Sequence, residues 1–163
     1  MPYETSTTMT YDEYKKMSLA SYPVMHRGAL IFLIVVELMC VILFAVSLLS
    51  SSRLSALFLI YSFVLPVILF IRTTLTLRKA YNSTKAAHNH TNRYLFYEDH
   101  VEATSTIGES RIEYKDLYKV IETKTNYYLF IGMNVAMNII KANCSDELLR
   151  LLNTIKTQAN HSN

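Results

Sequence analysis

The stretch ALIFLIVVELMCVILFAVSLL, residues 29–49, decides the fold class of this chain. Its 21 residues include one charged side chain, that of Glu37. A second stretch, LSALFLIYSFVLPVILFI at residues 54–71, has 18 residues and no charge. Because a helix that crosses a bilayer needs about 20 apolar residues, within a range of roughly 17–25, both stretches predict membrane spans. Two buried helices of a soluble protein are the weaker alternative, since periodic polar residues are missing.

The charges beside the two stretches predict their orientation. Four residues, 50–53, separate them, so the spans should form a tight antiparallel hairpin with both termini on one side. The connecting loop holds one cation, Arg53, whereas residues 72–93 hold five cations and no acid. Because positive residues near span ends stay in the cytoplasm, we expect both termini to be cytoplasmic and Arg53 to lie outside.

The composition excludes several classes of protein. The chain has 163 residues, of which 51% are hydrophobic and 18% are charged, which excludes long disorder. Its two cysteines, Cys40 and Cys144, exclude a disulfide framework and a four-cysteine zinc site. The formal net charge of +3 is unevenly distributed, because residues 94–163 have seven Lys and Arg against nine Asp and Glu. A net negative domain has the wrong sign for binding nucleic acid.

The chain divides into four parts. We predict a cytoplasmic N-terminal segment at residues 1–27, the hairpin at 28–71, a basic juxtamembrane helix and linker at 72–92, and a cytoplasmic domain at 93–160. In the first part, residues 1–10 are rich in Thr and Tyr and could form a short strand. Thr10 and Glu13 have the spacing of a capping box, which predicts a helix from Tyr11 to about Ala20 that ends before Pro23.

The cytoplasmic domain begins where the hydrophobic period changes from that of a helix to that of a strand. Gly108 lies in a predicted turn and can take a positive φ. Ser145 caps a C-terminal helix whose leucines repeat at helical spacing. Short β-prone runs predict six strands, which read as one antiparallel, strongly curved sheet or partial barrel. The predicted strands are residues 93–98, 101–106, 111–114, 117–123, 127–131 and 135–140. The fold class is therefore an α+β membrane protein.

An ordered series of short motifs resembles the C-terminal domain of YcxB-like bacterial membrane proteins. The series ends with the Asp-Glu-Leu start of the last helix, residues 146–148, and the resemblance covers about residues 90–158. The other motifs are FYED at 96–99, GES at 108–110, IEYKDL at 112–117, VIET at 120–123, YYLFI at 127–131 and MNVA at 133–136.

The resemblance implies an architecture and no agreed biochemical activity. It implies a sheet-plus-helix domain like a pleckstrin-homology (PH) domain, tethered to two spans in the bacterial cytoplasmic membrane. The chain departs from the family at Glu113, where a proline is common, and at residues 138–141, which lack a proline often seen after the last strand. Neither departure threatens the fold, because both lie near strand ends.

Glu37 is the first candidate site, since a carboxylate near the middle of a span costs roughly 2.5–3.5 kcal/mol to insert. Pro66 lies at a similar predicted depth in the second span and leaves the carbonyl of Ser62 without its helical donor. We expect a protonated Glu37 to donate to that carbonyl or to the Ser62 hydroxyl. A second copy of the chain or another membrane subunit could instead satisfy Glu37, and the carboxylate could also sense protons or a partner.

Four cations after the second span form a candidate collar for lipid headgroups: Arg72, Arg78, Lys79 and Lys85. No motif predicts a cofactor or a catalytic centre, and no phosphate-binding loop is present. His88, His90 and His100 read as solvated linker and turn residues rather than metal ligands. Cys144 precedes a helix, but the acids at 146 and 147 oppose a reactive thiolate.

The sequence therefore predicts a non-catalytic, membrane-tethered interaction or regulatory protein whose PH-like domain docks a protein partner. We expect strand addition at an exposed edge, supplied by strand 127–131 or by the hairpin 94–106. One alternative is a membrane-embedded immunity or regulatory factor that acts through the hairpin and Glu37. Another is an accessory or homo-oligomeric transport subunit. Loss of function in a folded Glu37→Gln variant would favour these membrane-based roles.

Overall fold

The computed structural model describes residues 2–49, 54–83, 90–106, 108–133 and 135–161, without the side chains of residues 49, 54–59, 62, 63 and 161. It has an α+β fold with four α-helices and seven strands among these residues. Two compact units form, one from Met1–Ser21 with Tyr81–Asn163 and the other from Tyr22–Ala80. Helix α1 is Tyr11–Met25, α2 is Arg27–Leu49, α3 is Leu54–Ser83 and α4 is Asp146–His161.

Helix α2 contains the stretch that decides the fold class. Within the described part of the chain, one helix is long and apolar enough to cross a membrane, over Arg27–Leu48, and no part of its most apolar window is buried. The second predicted span, residues 54–71, forms the first part of α3. The connecting loop with Arg53 and the linker residue Lys85 lie outside the described residues. Membrane association is therefore indicated by one helix, and the second span stays a prediction.

Helix α1 is longer than predicted. The expected cap is present, since the Glu13 N–H donates to the Thr10 hydroxyl at 3.3 Å. The expected end before Pro23 is wrong, because the helix continues through Pro23 to Met25. Proline removes one helical donor, but the following N–H of His26 still donates to the Tyr22 carbonyl at 2.9 Å. The interruption therefore stays local.

The strands form two antiparallel sheets rather than one. The first has the order β1-β2-β3-β4 and the second the order β5-β6-β7. Gly108 starts β4 with φ +151°, as the predicted turn required. The strands are β1 Tyr3–Thr8, β2 Thr91–Phe96, β3 His100–Ser105, β4 Gly108–Glu113, β5 Lys119–Glu122, β6 Asn126–Gly132 and β7 Val135–Ile140.

Strand β1 belongs to the same sheet as the domain that follows the apolar helices. It pairs with β2 from Tyr3 opposite Phe96 to Thr8 opposite Thr91. The predicted boundary between an N-terminal segment and a domain at 93–160 therefore differs from the units observed. The two strands are separated by more than eighty residues, so neither hydrophobic period nor turn chemistry could predict their pairing.

The core lies between the sheets and α4. Three tyrosines, Tyr94, Tyr114 and Tyr127, belong to this core. The predicted cap of α4 is also confirmed, because the Leu148 N–H donates to the Ser145 hydroxyl at 3.3 Å. Leu148, Leu152, Ile155 and Ala159 form the buried stripe of α4.

Candidate functional site

A groove opens between the two sheets of the first unit. It encloses about 320 Å³ and is lined mainly by apolar side chains, together with several polar ones. Strands β2, β3 and β4 form one wall, and the end of β6 with the start of β7 forms the other. Its lining residues are Asn92, Tyr94, Ala103, Ser105, Gly108, Glu109, Ser110, Ile112, Ile131, Val135, Ala136 and Met137.

Strand β4 is the edge of the four-stranded sheet next to this groove. It pairs with β3 on one side and has no other strand neighbour among the described residues. Ser110 lies opposite Ala103 and Ile112 opposite Val101, and both β4 residues line the groove. Every β4 side chain except Ile112 is exposed. An edge strand beside an apolar groove has the geometry to accept an extended peptide.

Both predictions of the edge for strand addition are wrong, because the strands concerned lie inside their sheets. Strand β6, which contains residues 127–131, is the central strand of the second sheet and is paired on both sides. The hairpin 94–106 corresponds to β2 and β3, and these also lie inside their sheet. The predicted hairpin lies inside the sheet because β1 pairs with β2 and β4 pairs with β3. Sequence period predicts that a strand exists, but it carries no information about which strands end at an edge.

A buried polar cluster joins α1 to the second sheet. The Asn126 Nδ2 atom donates to the Glu13 carboxylate at 2.6 Å and to the Asn138 amide oxygen at 2.8 Å. The Asn138 Nδ2 atom donates to the same carboxylate at 3.1 Å. Both asparagines are fully buried. Burial raises the pKa of Glu13, but hydrogen bonds from Lys16 and the two asparagines outweigh it, so the pKa lies below its ordinary value.

Sequence reasoning missed the partners of Glu13. Asn138 interrupts the apolar strand 135–140, and this interruption was the available signal. A buried amide in an apolar strand requires a hydrogen-bond partner, but its identity depends on the tertiary fold. The carboxylate and amide groups of the cluster hydrogen-bond to one another and thereby join α1 to the second sheet.

A second charged cluster lies where β5, β6, β7 and α4 meet. The Glu122 carboxylate accepts from Lys141 Nζ at 2.5 Å and from Lys156 Nζ at 2.7 Å. The Tyr127 hydroxyl donates to it at 3.1 Å. Hydrogen bonds from Lys141 and then Lys156 lower the pKa of Glu122 to about 2. Burial, followed by the bond to Glu122, raises the pKa of Tyr127 to about 12.

Glu122→Gln is expected to remove an acid-sensitive part of the stability. A carboxylate with a lowered folded-state pKa stabilises the fold above its unfolded pKa of 4.5 and loses that effect as pH falls toward 2. Because Glu122 is 27% exposed, solvent screening limits its effect to about 2 kcal/mol. Thermal unfolding of the full chain in detergent, between pH 6 and pH 2, measures this loss.

Glu98→Gln, at an exposed turn, is the control for that experiment. The tyrosine near-UV circular dichroism reports on the correct unit, because ten of the twelve tyrosines lie in the unit that contains Glu122. Equal acid sensitivity in wild type and Glu122→Gln would contradict the role assigned to the two lysine contacts.

The prediction that His100 is a solvated turn residue is wrong. It begins β3, is buried, and its Nδ1 atom lies 2.5 Å from the Asp99 carboxylate. Its ring stacks on Tyr97 with centroids 4.5 Å apart. His88 lies outside the described residues, whereas His90 is half-buried. Across the described ranges, no group of three side chains could hold a metal ion.

The structure describes only part of the predicted intramembrane site. Glu37 is half-buried on α2, and Pro66 is exposed inside α3. The side chain of Ser62 lies outside the description, so its predicted contact with Glu37 stays a prediction. Of the predicted collar, Arg72, Arg78 and Lys79 are exposed on α3.

The environment of the Cys144 thiol does not favour a nucleophile. Cys40 is half-buried on α2. The Cys144 thiol lies 3.3 Å from the Ile140 carbonyl and 3.7 Å from the Thr5 hydroxyl. Burial raises the pKa of Cys144, and the contact with Thr5 only partly opposes it. A raised pKa keeps the thiol protonated and weakly nucleophilic.

Comparison with known proteins identifies one family. No curated protein and no solved structure matches the chain. The family described as YcxB-like protein matches residues 96–147, which run from the end of β2 to the first turn of α4. The match includes β4 and most of the groove. The resemblance predicted from the sequence is confirmed, because residues 96–147 match the model of the YcxB-like family.

Proposed function

We propose that this chain is a non-catalytic, membrane-tethered interaction protein whose PH-like unit docks a protein partner at strand β4. The observation that carries the proposal is the free edge of β4 beside an apolar groove. A partner segment in extended conformation would add a fifth strand to the first sheet. The family match supports the architecture only, since it brings no activity with it.

Backbone groups and side chains would contribute differently to recognition at β4. Backbone groups along the edge supply affinity, and alternate side chains of the incoming strand select the sequence. One face of that strand would meet the groove through small or apolar side chains. The other would pass Arg111 and Glu113, which carry opposite charges. Charged side chains on an edge also discourage indiscriminate pairing between copies.

The membrane part of the proposal is a two-span hairpin in the bacterial cytoplasmic membrane with both termini in the cytoplasm. Its support is the unburied apolar helix Arg27–Leu48 and the uncharged first part of α3. The exposed cations Arg72, Arg78 and Lys79 follow that second stretch, where they would meet anionic lipid headgroups. The alternatives that act through Glu37, as an immunity factor or transport subunit, stay predictions.

Site-specific photo-cross-linking in native membranes tests the docking site. A photoreactive residue at Glu109 or at Arg111 is expected to give a discrete adduct, because a strand added to β4 would pass within reach of both. The control is the same residue at Thr154, an exposed position on α4. Adduct mass distinguishes a different protein from a second copy of the chain. Absence of adducts at both β4 positions, or equal adducts at Thr154, would contradict the proposal.

A further inference from the structure

The exposed apolar side chains of the first unit are concentrated in one place. Six large apolar side chains of this unit are exposed among the described residues. Two of them, Tyr3 and Leu19, lie on β1 and α1. The other four are Tyr118, Ile131, Met133 and Val135, with exposures of 43%, 37%, 56% and 61%. These four side chains are named the apolar tip.

The four residues are neighbours in the fold. The Tyr118 N–H donates to the Phe130 carbonyl at 2.8 Å, which places Tyr118 beside the end of β6. Gly132 pairs with Val135 where β6 turns into β7. The pairing register shifts between Phe130 and Gly132, so Ile131 lies at an irregularity in the ladder. Such an irregularity redirects side chains, and Ile131 is exposed although the four residues before it are buried.

The hairpin that carries the tip contains no charged residue. From residue 126 to residue 140 every side chain is apolar or uncharged. Connections between strands in water are normally polar, whereas this one contains Met133 beside Asn134 and is flanked by Ile131 in β6 and Val135 in β7. The nearest cation along the paired strand is Lys119, which lies opposite Phe130. Apolar side chains with a tyrosine and a lysine beside them suit the boundary between headgroups and acyl chains.

The small size of the tip argues against a second protein surface as its occupant. A stable protein interface uses about 20–30 residues on each side, and the tip has four. A small apolar group binds a bilayer only weakly by itself, as the marginal binding of a single acyl chain illustrates. The apolar helix Arg27–Leu48 would tether the chain to the membrane. Because a tether raises the effective concentration of the tip at the lipid, even a weak affinity would be enough for insertion.

We propose that the apolar tip inserts into the lipid interface of the membrane in which the chain is anchored. Ile131 and Val135 also line the groove beside β4, so lipid contact and docking would share these two side chains. Membrane contact by the tip depends on burial of apolar side chains rather than on headgroup charge, so it should persist in neutral lipid and at high salt.

The test uses the full chain in phosphatidylcholine vesicles. Cys40 and Cys144 are replaced by serine, and an environment-sensitive NBD fluorophore is attached through Met133→Cys. A second protein carries the label through Val135→Cys, which keeps the test open if the first variant fails to fold. The control carries it through Thr154→Cys on the exposed surface of α4. Some vesicles contain lipid with a spin label on its acyl chain, which quenches the fluorophore on contact.

Insertion predicts a blue shift of the emission at positions 133 and 135, quenching by the spin-labelled lipid, and neither effect at position 154. An emission like that of position 154 would overturn the proposal. A blue shift without quenching would also overturn it, because the tip would then be covered by protein, including a second copy. A signal that appears only with anionic lipid would assign the contact to headgroup charge and would equally overturn apolar insertion.

Discussion

Leu152→Ala is expected to lower the free energy of unfolding by about 2–5 kcal/mol. Leu152 is fully buried in the stripe of α4 that packs on the sheets, together with Leu148 and Ile155. Removing three carbon atoms there loses their transfer free energy and leaves a cavity that the surrounding strands cannot close. Thermal or denaturant unfolding of the full chain in detergent, followed by tyrosine near-UV circular dichroism, measures the change.

Thr154→Ala is the matched control on the same helix. Thr154 is exposed two residues away, so its replacement should change stability by no more than about 0.5 kcal/mol. If the two variants unfold alike, α4 does not close the core in the way described. The result also bears on function, because the groove and the β4 edge belong to the unit that this core supports.

Glu13→Ala is expected to cost about 2–3 kcal/mol, because it leaves buried donors of Asn126 and Asn138 without their charged acceptor. Asn138 is affected most, since Asn126 also donates to the Asn138 amide oxygen. Both asparagines are fully buried, so water cannot replace the carboxylate without a structural change. The same unfolding measurement, with hydrogen exchange of the α1 amides, should show a destabilised fold and faster exchange in α1.

Asp12→Ala is the control, because Asp12 is exposed and also lies in the first turn of α1. Both substitutions remove a favourable interaction with the helix dipole, so the difference between them reports the contacts of Glu13 with Asn126, Asn138 and Lys16. The pKa of Glu13 is lowered, so its contribution is present above pH 4.5 and is lost as pH falls through the folded-state pKa. Equal losses in the two variants would show that the asparagine contacts add no stability.

The Glu13 cluster and the groove differ in the direction of their polar groups. The cluster uses its polar atoms internally, to attach α1 to the second sheet. The groove and the β4 edge present backbone and side chains outward. Stability experiments therefore test the cluster, and cross-linking tests the docking surface.

Several elements could be predicted because their signals are local. The apolar helix α2 follows from 21 consecutive residues with one charge. The start of α4 follows from Ser145 and the acids after it, and its buried face follows from the spacing of Leu148, Leu152 and Ile155. Strands β2 to β7 follow from alternation and turn residues, with boundaries that differ by a few residues.

The candidate site was less predictable because it depends on contacts between distant residues. Whether a strand lies at an edge depends on the strands that pair with it. Strand β1 pairs with β2 although the apolar helices separate the two in the sequence. That pairing, with the pairing of β3 to β4, places β2 and β3 inside the sheet and leaves β4 as the candidate edge.

Glu13 has one contact that the local sequence predicts and others that depend on the tertiary fold. Its spacing from Thr10 determined the start of α1, as the bond from the Glu13 N–H confirms. Its carboxylate, however, is held by Asn126 and Asn138, more than a hundred residues away. Periodicity and capping arise from neighbours along the chain, so the sequence alone determined helices and strands. Edges, buried polar partners and the exposed tip arise from packing between remote segments, and only the tertiary structure decided them.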